Sequence, residues 1–283
     1  MSLTFRLLTP SDFPIVDPLL TAAYDHSTSM LDDLAQYHQL QPDGWLLVMR
    51  NERPVGIGGA LLYDTFARIG LVAVLPEVQR QGIGVAIMQQ LLEWIAQRGA
   101  TTVLLDATPV GVPLYSKLGF TVDDSVCAYI QRRSSALVDT SAIAIKQLEP
   151  KELPEVVIYD AQRFGAQRSG VLTSYNEAFP NRTFVARDSQ GTIRGYILAQ
   201  AHRLGPWLAD TPEIAEALLL QALQLSFSQS PKVIVPEYNQ DASSLLKRAG
   251  FMPEQYWQSM CLGGISDLQR RQWLYGYGNL YVG

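Results

Sequence analysis

The strongest constraint on how this chain folds is an internal repeat, because a duplicated segment must build similar local structure twice. The apolar run Val103–Leu105 is echoed by Val233–Val235 at an offset of 130 residues. The Gly119-Phe120 pair is echoed by Gly250-Phe251 at an offset of 131. Each of these Gly-Phe pairs follows a short helical pattern in its own half of the chain.

Two further echoes come earlier in each half. Leu75-Pro76 is matched by Gly205-Pro206 at an offset of 130 residues. The helical apolar pattern of Gly82–Arg98 lies opposite the apolar-rich segment Pro212–Phe227. Four echoes in one order at nearly one offset predict a tandem duplication of one α/β domain with a mixed sheet.

A polar stretch of small residues, Arg132–Ser141, separates the two halves and carries little apolar periodicity. Such composition is typical of a linker between compact domains. The sequence therefore predicts an N-terminal domain over residues 1–133 and a C-terminal domain over residues 142–283.

Charge and composition exclude several classes of protein. The chain has 22 Lys and Arg against 27 Asp and Glu among its 283 residues, and no basic cluster, which argues against a nucleic-acid partner. It has no apolar run of the ~18 residues that span a bilayer, and its start does not resemble a signal peptide, so we expect no membrane partner and a cytoplasmic location. Cys127, Cys261 and three dispersed His residues predict neither disulfides nor a metal site.

The segment Val74–Val85 runs from a predicted strand through a glycine-containing turn into a helix. Gly82 and Gly84 let the backbone approach a ligand closely, and the N–H groups of a helix N-terminus bind anions such as phosphate. The alternative is that both glycines only shape the turn before the helix. The spacing matches neither a dinucleotide-binding fingerprint nor a P-loop.

Gln79–Gly84 resembles the acyl-CoA signature of the GNAT acetyltransferase superfamily: Gln or Arg, two residues, Gly, one residue, then Gly or Ala. The resemblance implies that the amides of the turn hold the CoA pyrophosphate and that the strand ending at Val74 pairs its backbone with pantetheine. Arg80 is either a phosphate ligand or a solvated surface charge. The residues that this resemblance assigns to acetyl-CoA are Val72, Val74, Gln79, Arg80, Gln81, Gly82, Ile83, Gly84 and Val85.

Tyr115 matches the tyrosine that this superfamily carries on a short helix before Gly-Phe, with its hydroxyl facing the leaving CoA sulfur. The resemblance thus implies a general acid, while the alternative is a tyrosine packed on the wall of the cleft. A base must also accept the proton of the attacking amine. Asp106, at the end of a predicted strand, is the candidate base, although it could equally cap a turn. Weaker candidates are Asp25, His26, Asp64 and Glu77.

In the second half, Arg203–Pro212 stands where the signature would lie, but it lacks the Gly-x-Gly turn. Leu246 stands near the position of Tyr115, so we expect a degenerate domain and one catalytic site per chain. This half either supplies residues to the acceptor or only completes an apolar interface; the candidate side chains are Arg163, Arg168, Glu237 and Tyr238. The aromatic segment Trp273–Tyr281 is typical of a final strand or a docked terminal segment.

The resemblance implies an N-acetyltransferase that transfers an acetyl group from acetyl-CoA to a primary amine, without a metal. The acceptor is a small-molecule amine or a protein Lys. The oligomeric state is left open, with a homodimer as one form. Two alternatives remain: a non-catalytic acyl-CoA-binding regulatory module, and a scaffold that uses the duplicated fold only for protein contacts.

Overall fold

The computed structural model describes residues 3–24, 29–133, 137, 143–264 and 271–283. Two compact units account for the chain. The first contains Met1–Leu105, Val110–Thr121 and Cys261–Gly264, and the second contains Asp106–Pro109, Val122–Met260 and Ile265–Gly283. Most of the predicted linker Arg132–Ser141 lies outside the described residues, and the boundaries at residues 133 and 142 stay a prediction.

The first unit has four antiparallel strands in chain order and a fifth, β5, that is parallel to β4. Its strands are β1 (Leu3–Leu7), β2 (Trp45–Arg50), β3 (Arg53–Leu62), β4 (Ala67–Val74) and β5 (Val103–Ala107). Its helices are α1 (Phe13–Tyr24), α2 (Leu31–Leu40), α3 (Ile83–Gln97) and α4 (Val112–Lys117). The last two residues of β5 belong to the second unit.

Helix α3 lies close to the sheet because β3 carries glycines beneath it. A Cβ atom on Gly58 would come within 2.6 Å of Ile87 and 3.1 Å of Leu91, both of which are buried on α3. The helical apolar spacing predicted from Ile83 onwards is therefore confirmed as the face that packs on β3. Gly99, predicted to end the helix, follows it with a φ of +82°.

The second unit contains a five-stranded sheet in the order β13–β10–β9–β8–β7 and three further neighbouring strands in the order β12–β6–β11. The strands are β6 (Thr121–Gln131), β7 (Ala144–Gln147), β8 (Thr183–Arg187), β9 (Ile193–Ala199), β10 (Leu204–Ala209), β11 (Lys232–Pro236), β12 (Phe251–Leu262) and β13 (Leu274–Gly276). The helices are α5 (Leu153–Phe164), α6 (Ser169–Ala178), α7 (Pro212–Ala222) and α8 (Gln240–Arg248). Two apolar clusters take alternate residues of β8, with Phe184 in one and Val185 in the other, so both faces of the sheet are covered.

Strand β6 shows that the units do not follow the halves of the sequence everywhere. It pairs antiparallel with β11 from Val126↔Pro236 to Ile130↔Lys232, within the second unit. Conversely, Cys261–Gly264 at the end of β12 lie in the first unit, where Gly263 packs so closely on the Thr101 carbonyl that a Cβ would not fit. The strands predicted near Phe120 and over Val126–Gln131 form the single strand β6.

The predicted repeat appears as α3, β5 and α4 in the first unit and α7, β11 and α8 in the second, in the same order. One echo is wrong. Leu75-Pro76 follows the end of β4, whereas Gly205-Pro206 lies inside β10, which is buried along its whole length. The β9–β10 register shifts between Leu204 and Trp207, and such a bulge accommodates a proline that cannot donate to the ladder.

No helix in the described ranges is long and apolar enough to cross a membrane.

Candidate active site

The first unit has an opening between its two parallel strands. β4 and β5 pair only at Ala67↔Val103 and Arg68↔Leu104, and the pairing then stops. No strand of the described part of the chain lies between them. We call this opening, bounded by β4 beyond Arg68 and by β5 beyond Leu104, the first gap.

A bulge in β4 lies on the edge of this gap. Between the pairs Gly59↔Gly70 and Ile57↔Ala73, two residues of β4, Leu71 and Val72, oppose the single residue Gly58 of β3. Leu71 has a φ of +50°, in the left-handed region that non-glycine residues rarely occupy. A bulge bends and twists its strand, which accounts for the separation of β4 from β5.

Eight residues connect the end of β4 to the start of α3. They begin with a single 3-10 turn, Pro76–Val78, after which the Gln79 side chain donates from Nε2 to the carbonyl of Val74 at 3.0 Å. This bond ties the turn back to the strand. Arg80 and Gly82 then take φ values of +60° and +82°, and Gly82 becomes the N-cap of α3.

The first turn of α3 presents unpaired N–H groups. The first helical bond runs from Ala86 N to the carbonyl of Gly82 at 3.0 Å. Within the described residues, the N–H groups of Ile83, Gly84 and Val85 have no hydrogen-bond acceptor. The space beside Gly82 is open, since a Cβ there would meet nothing within 4 Å. An open helix N-terminus of this kind fits an anionic phosphate group.

The polar and charged side chains around the turn differ in whether they already have a partner. Gln81 accepts a bond from Arg50 at 2.7 Å, and Glu77 pairs with Arg53 at 2.6 Å. A hydrogen bond to its own backbone, together with Arg53, lowers the pKa of Glu77, so this carboxylate is a poor base. Arg80 is exposed and forms no ion pair with any residue that the structure describes, which leaves its guanidinium free for a phosphate.

Tyr115 lies on α4, beside the N-terminus of α3. α3 and α4 pack closely at this point, because a Cβ on Gly84 would lie 3.3 Å from the Leu114 side chain. The ring of Tyr115 packs edge-on against Phe120, with centroids 6.1 Å apart. Burial raises the pKa of Tyr115 to about 12, so its hydroxyl is protonated at neutral pH.

Tyr24, the last residue of α1, is a member of this site that sequence reasoning missed. Its hydroxyl donates to the carbonyl of Val72, in the bulge of β4, at 3.2 Å. Burial raises the pKa of Tyr24 above its ordinary value, and the neighbouring Tyr115 raises it further. The candidates Asp25 and His26, which follow Tyr24, lie outside the described residues.

The remaining base candidates do not gather at the turn. Asp106 is half-buried on β5 and groups with the second unit, whereas the turn and Tyr115 belong to the first. Asp64 is exposed in the connection between β3 and β4. No group of three or more His, Cys, Asp or Glu side chains in the described ranges could hold a metal ion.

The second unit has a corresponding opening, which is filled. β10 and β11 begin side by side at a parallel bridge, Arg203↔Lys232. Strand β13 then pairs with β10 at Trp207↔Gly276, and the N–H of Tyr277 donates to the carbonyl of Ile234 on β11 at 2.8 Å. We call this opening the second gap. Part of the aromatic segment predicted as a final strand or docked segment, Leu274–Gly276, is thus a strand within this gap.

The connection that follows β10 is also different. Only Asp210 and Thr211 separate β10 from α7, and the Thr211 hydroxyl caps the helix by accepting from Ile214 N. Arg163 donates to both carboxylate oxygens of Asp210, at 2.6 and 3.1 Å, and the hydroxyl of Tyr159 donates at 3.0 Å. A paired carboxylate therefore lies where the first unit has an open, positively polarised helix end.

Three of the other side chains considered for the second half have structural partners or lie in the core, and the fourth, Tyr238, is exposed. Arg168 is 2% exposed and forms a bidentate pair with Asp160 at 2.8 and 2.9 Å. Glu237 accepts from the hydroxyl of Tyr129 at 3.1 Å. Tyr238 is 67% exposed, and Leu246 is fully buried on α8.

Solved structures and curated proteins resemble this chain over much of its length. A Pyrococcus horikoshii structure, provisionally described as an acetyltransferase, is 28% identical with a TM-score of 0.86 and covers 99% of this chain and 96% of its own. A GCN5-related N-acetyltransferase from Sphaerobacter thermophilus shares the fold at 17% identity, with a TM-score of 0.74 over 92% and 95% of the two chains. The uncharacterized N-acetyltransferase YitH of Bacillus subtilis is 25% identical over 197 residues, 68% of each chain.

Family models match both halves of the chain. The acetyltransferase (GNAT) family matches residues 8–120, which include the turn before α3 and Tyr115. An acetyltransferase (GNAT) domain matches residues 156–276, which include the second gap. The chain therefore belongs to the GNAT acetyltransferase family and carries two of its domains in tandem.

Proposed function

We propose that this protein is an N-acetyltransferase that transfers the acetyl group of acetyl-CoA to a primary amine at the first gap. The observation that carries the proposal is the open first turn of α3, which follows a bulged and diverging β4 and lies beside the helix of Tyr115. The GNAT family generally uses acetyl-CoA.

The proposed acetyl-CoA site follows the direction of the chain. The N–H groups of Ile83, Gly84 and Val85, with the exposed Arg80, hold the pyrophosphate. The side chain of Gln79 keeps the turn close to β4. The carbonyls of Val72 and Val74 already accept one bond each, from Tyr24 and Gln79, so pantetheine uses their second lone pairs or the N–H groups of β4.

Bound acetyl-CoA supplies an activated acyl group whose leaving group is a thiolate. Tyr115 has a pKa of about 12, while an alkyl thiol such as that of Cys has a pKa of about 8.5. Complete proton transfer from Tyr115 to the thiolate is therefore uphill. The hydroxyl assists by donating a hydrogen bond to the negative charge that develops on sulfur.

The attacking amine must be neutral, so its proton passes to a base or to water. Asp106 remains the proposed base, since it is half-buried and next to the last residue of β5. A small-molecule amine and a protein Lys both present the required primary amine. A non-catalytic acyl-CoA-binding module would share the turn but release no thiol, and a scaffold would not bind acetyl-CoA.

The test is calorimetric titration of acetyl-CoA, followed by a thiol-release assay with pooled alkyl amines, amino acids and Lys peptides. We expect binding at one site, thiol release that depends on an amine, and a loss of about tenfold or more in kcat for Tyr115→Phe. This variant keeps the ring packed on Phe120 and should bind acetyl-CoA as the wild type does. Binding without amine-dependent release would support the regulatory module, and no binding would support the scaffold.

A further inference from the structure

The bulge in β4 depends on a contact far away in sequence. Tyr24 and Val72 are 48 residues apart, and the hydroxyl of Tyr24 donates to the Val72 carbonyl at 3.2 Å. The carbonyl belongs to the pair of residues, Leu71 and Val72, that oppose one residue of β3. Tyr24 is thus a side-chain partner for the backbone at the point where the ladder is irregular.

A bulge of this kind needs support from outside the sheet. The extra residue interrupts the ladder, and a buried carbonyl that loses its partner is costly unless another donor replaces it. The positive φ of Leu71 adds a further cost, because a non-glycine residue rarely adopts this conformation. The Tyr24 hydroxyl favours the bulged form over a regular strand, because it bonds a carbonyl that only this form presents to it.

The bulge also lies next to the proposed chemistry. Tyr115 is close enough to Tyr24 to contribute to its raised pKa. Because the pKa of Tyr24 lies above its ordinary value, its hydroxyl stays protonated at neutral pH and keeps the proton that it donates to the Val72 carbonyl. The donor that holds the bulge and the donor that faces the leaving group therefore belong to one cluster at the first gap.

We propose that Tyr24 is a positioning residue for acyl transfer, which acts by holding the Val72 carbonyl and so fixing the bulged backbone of β4 beside Tyr115. The inference rests on the proposed function, since it concerns the same gap. It does not involve the pyrophosphate turn, which lies after the end of β4. Because Val72 also belongs to the proposed pantetheine site, loss of the hydroxyl should weaken acetyl-CoA binding to some extent and lower the rate of transfer more.

The experiment compares Tyr24→Phe with Tyr159→Phe, a matched variant in the second unit. Tyr159 also lies on the first long helix of its unit, and its hydroxyl proton is shared between a backbone carbonyl, that of Arg194 at 2.7 Å, and the Asp210 carboxylate at 3.0 Å. We expect Tyr24→Phe to lower kcat about tenfold, with a clearly smaller rise in the Kd for acetyl-CoA. Tyr159→Phe should leave kcat per bound acetyl-CoA within twofold. The readout is thiol release with the amine pool, or with water as acceptor.

A second variant separates positioning from a general loss of stability. Glycine occupies positive φ readily, so Leu71→Gly favours the bulged backbone without the Tyr24 bond. In the Tyr24→Phe background, we expect it to restore kcat at least threefold. Two results would overturn the inference alone, provided that the wild type releases thiol. One is a kcat of Tyr24→Phe equal to that of the wild type, and the other is the absence of rescue by Leu71→Gly. A wild type that binds no acetyl-CoA would overturn the proposed function, and the inference with it.

Discussion

The two gaps of this protein lie in two domains of one family, and they differ in the features that the proposed acyl-CoA site uses. In the first unit, β4 and β5 separate after two pairs, and eight residues lead to an open helix N-terminus. In the second, β13 lies between β10 and β11, and only two residues lead to α7. The elements around both gaps are the same, so the fold alone does not make the site.

The second gap differs in three independent ways. The short connection removes the glycine turn, Asp210 places a carboxylate near the helix start, and β13 uses the backbone groups that a ligand would otherwise pair with. β13 is also held firmly, because Asn239 donates to the carbonyls of Gln272 and Leu274 at 3.2 and 3.0 Å. In this protein the chain itself fills the diverging strand pair of the second unit, whereas the pair in the first unit is left open for the proposed ligand.

The largest expected effect comes from placing a carboxylate at the start of α3 in the first gap, as Asp210 does near the start of α7 in the second. In Gly82→Asp, a carboxylate stands at the N-cap of α3, where Asp and Asn tolerate a positive φ better than other residues do. It repels the CoA pyrophosphate, so we expect acetyl-CoA affinity to fall at least 100-fold, about 2.8 kcal/mol. Calorimetric titration measures the change.

Gly99→Asp is the matched control for this prediction. Gly99 follows the other end of α3, has the same φ of +82°, and likewise has no atom within 4 Å of a Cβ position. Gly99→Asp should lose more stability than Gly82→Asp, because its carboxylate lies at the negative end of the helix dipole, while only Gly82→Asp loses acetyl-CoA affinity. Equal affinities in the two variants would break the comparison, because the turn would then not hold the pyrophosphate.

The next effect tests whether the filled gap is part of the fold. Asn239→Ala removes both bonds to the segment before and within β13, and also the N-cap of α8, where the side chain accepts from Ala242 N at 3.1 Å. We expect a loss of about 2 kcal/mol in the free energy of unfolding. Thr211→Ala loses only the cap of α7 and should cost about 1 kcal/mol. Chemical denaturation of both variants measures the difference, and equal losses would mean that the bonds to β13 contribute nothing.

The smallest effect concerns pH. Burial raises the pKa of Tyr115 to about 12, so the group is protonated below that value and loses its proton only as the pH passes it. The ratio of wild-type kcat to Tyr115→Phe kcat should therefore stay constant from pH 7 to pH 10. An unshifted tyrosine, with a pKa of about 10, would halve the ratio at pH 10. A halved ratio would show that the first gap exposes Tyr115 to water.

Much of the fold follows from local sequence signals. The spacing of Ile83, Ile87 and Leu91 predicts the buried face of α3, and the echo of Val103–Leu105 by Val233–Val235 predicts β5 and β11. Both signals are strong because a buried helix face and a buried strand each need apolar residues at a fixed period. The glycine turn is equally local, since its strand, loop and helix are contiguous in the chain.

The contacts that the sequence did not reveal all join distant residues. Tyr24 reaches Val72 through tertiary packing, and nothing in the residues around either one indicates a bulge. The echo of Leu75-Pro76 by Gly205-Pro206 failed because a proline marks a strand end only when no bulge accommodates it. Asp106 was selected for its place at a strand end, a criterion that does not determine which unit the residue joins.

Each unit contains a segment from the other half of the sequence, and this determines when each unit can fold during synthesis. The first unit includes Cys261–Gly264, so a ribosome must translate nearly the whole chain before this unit can be complete. The second unit includes Val122–Gln131, which therefore leave the ribosome long before their partner strand β11. A gene cut between the two halves would deprive each product of a segment that its own unit needs.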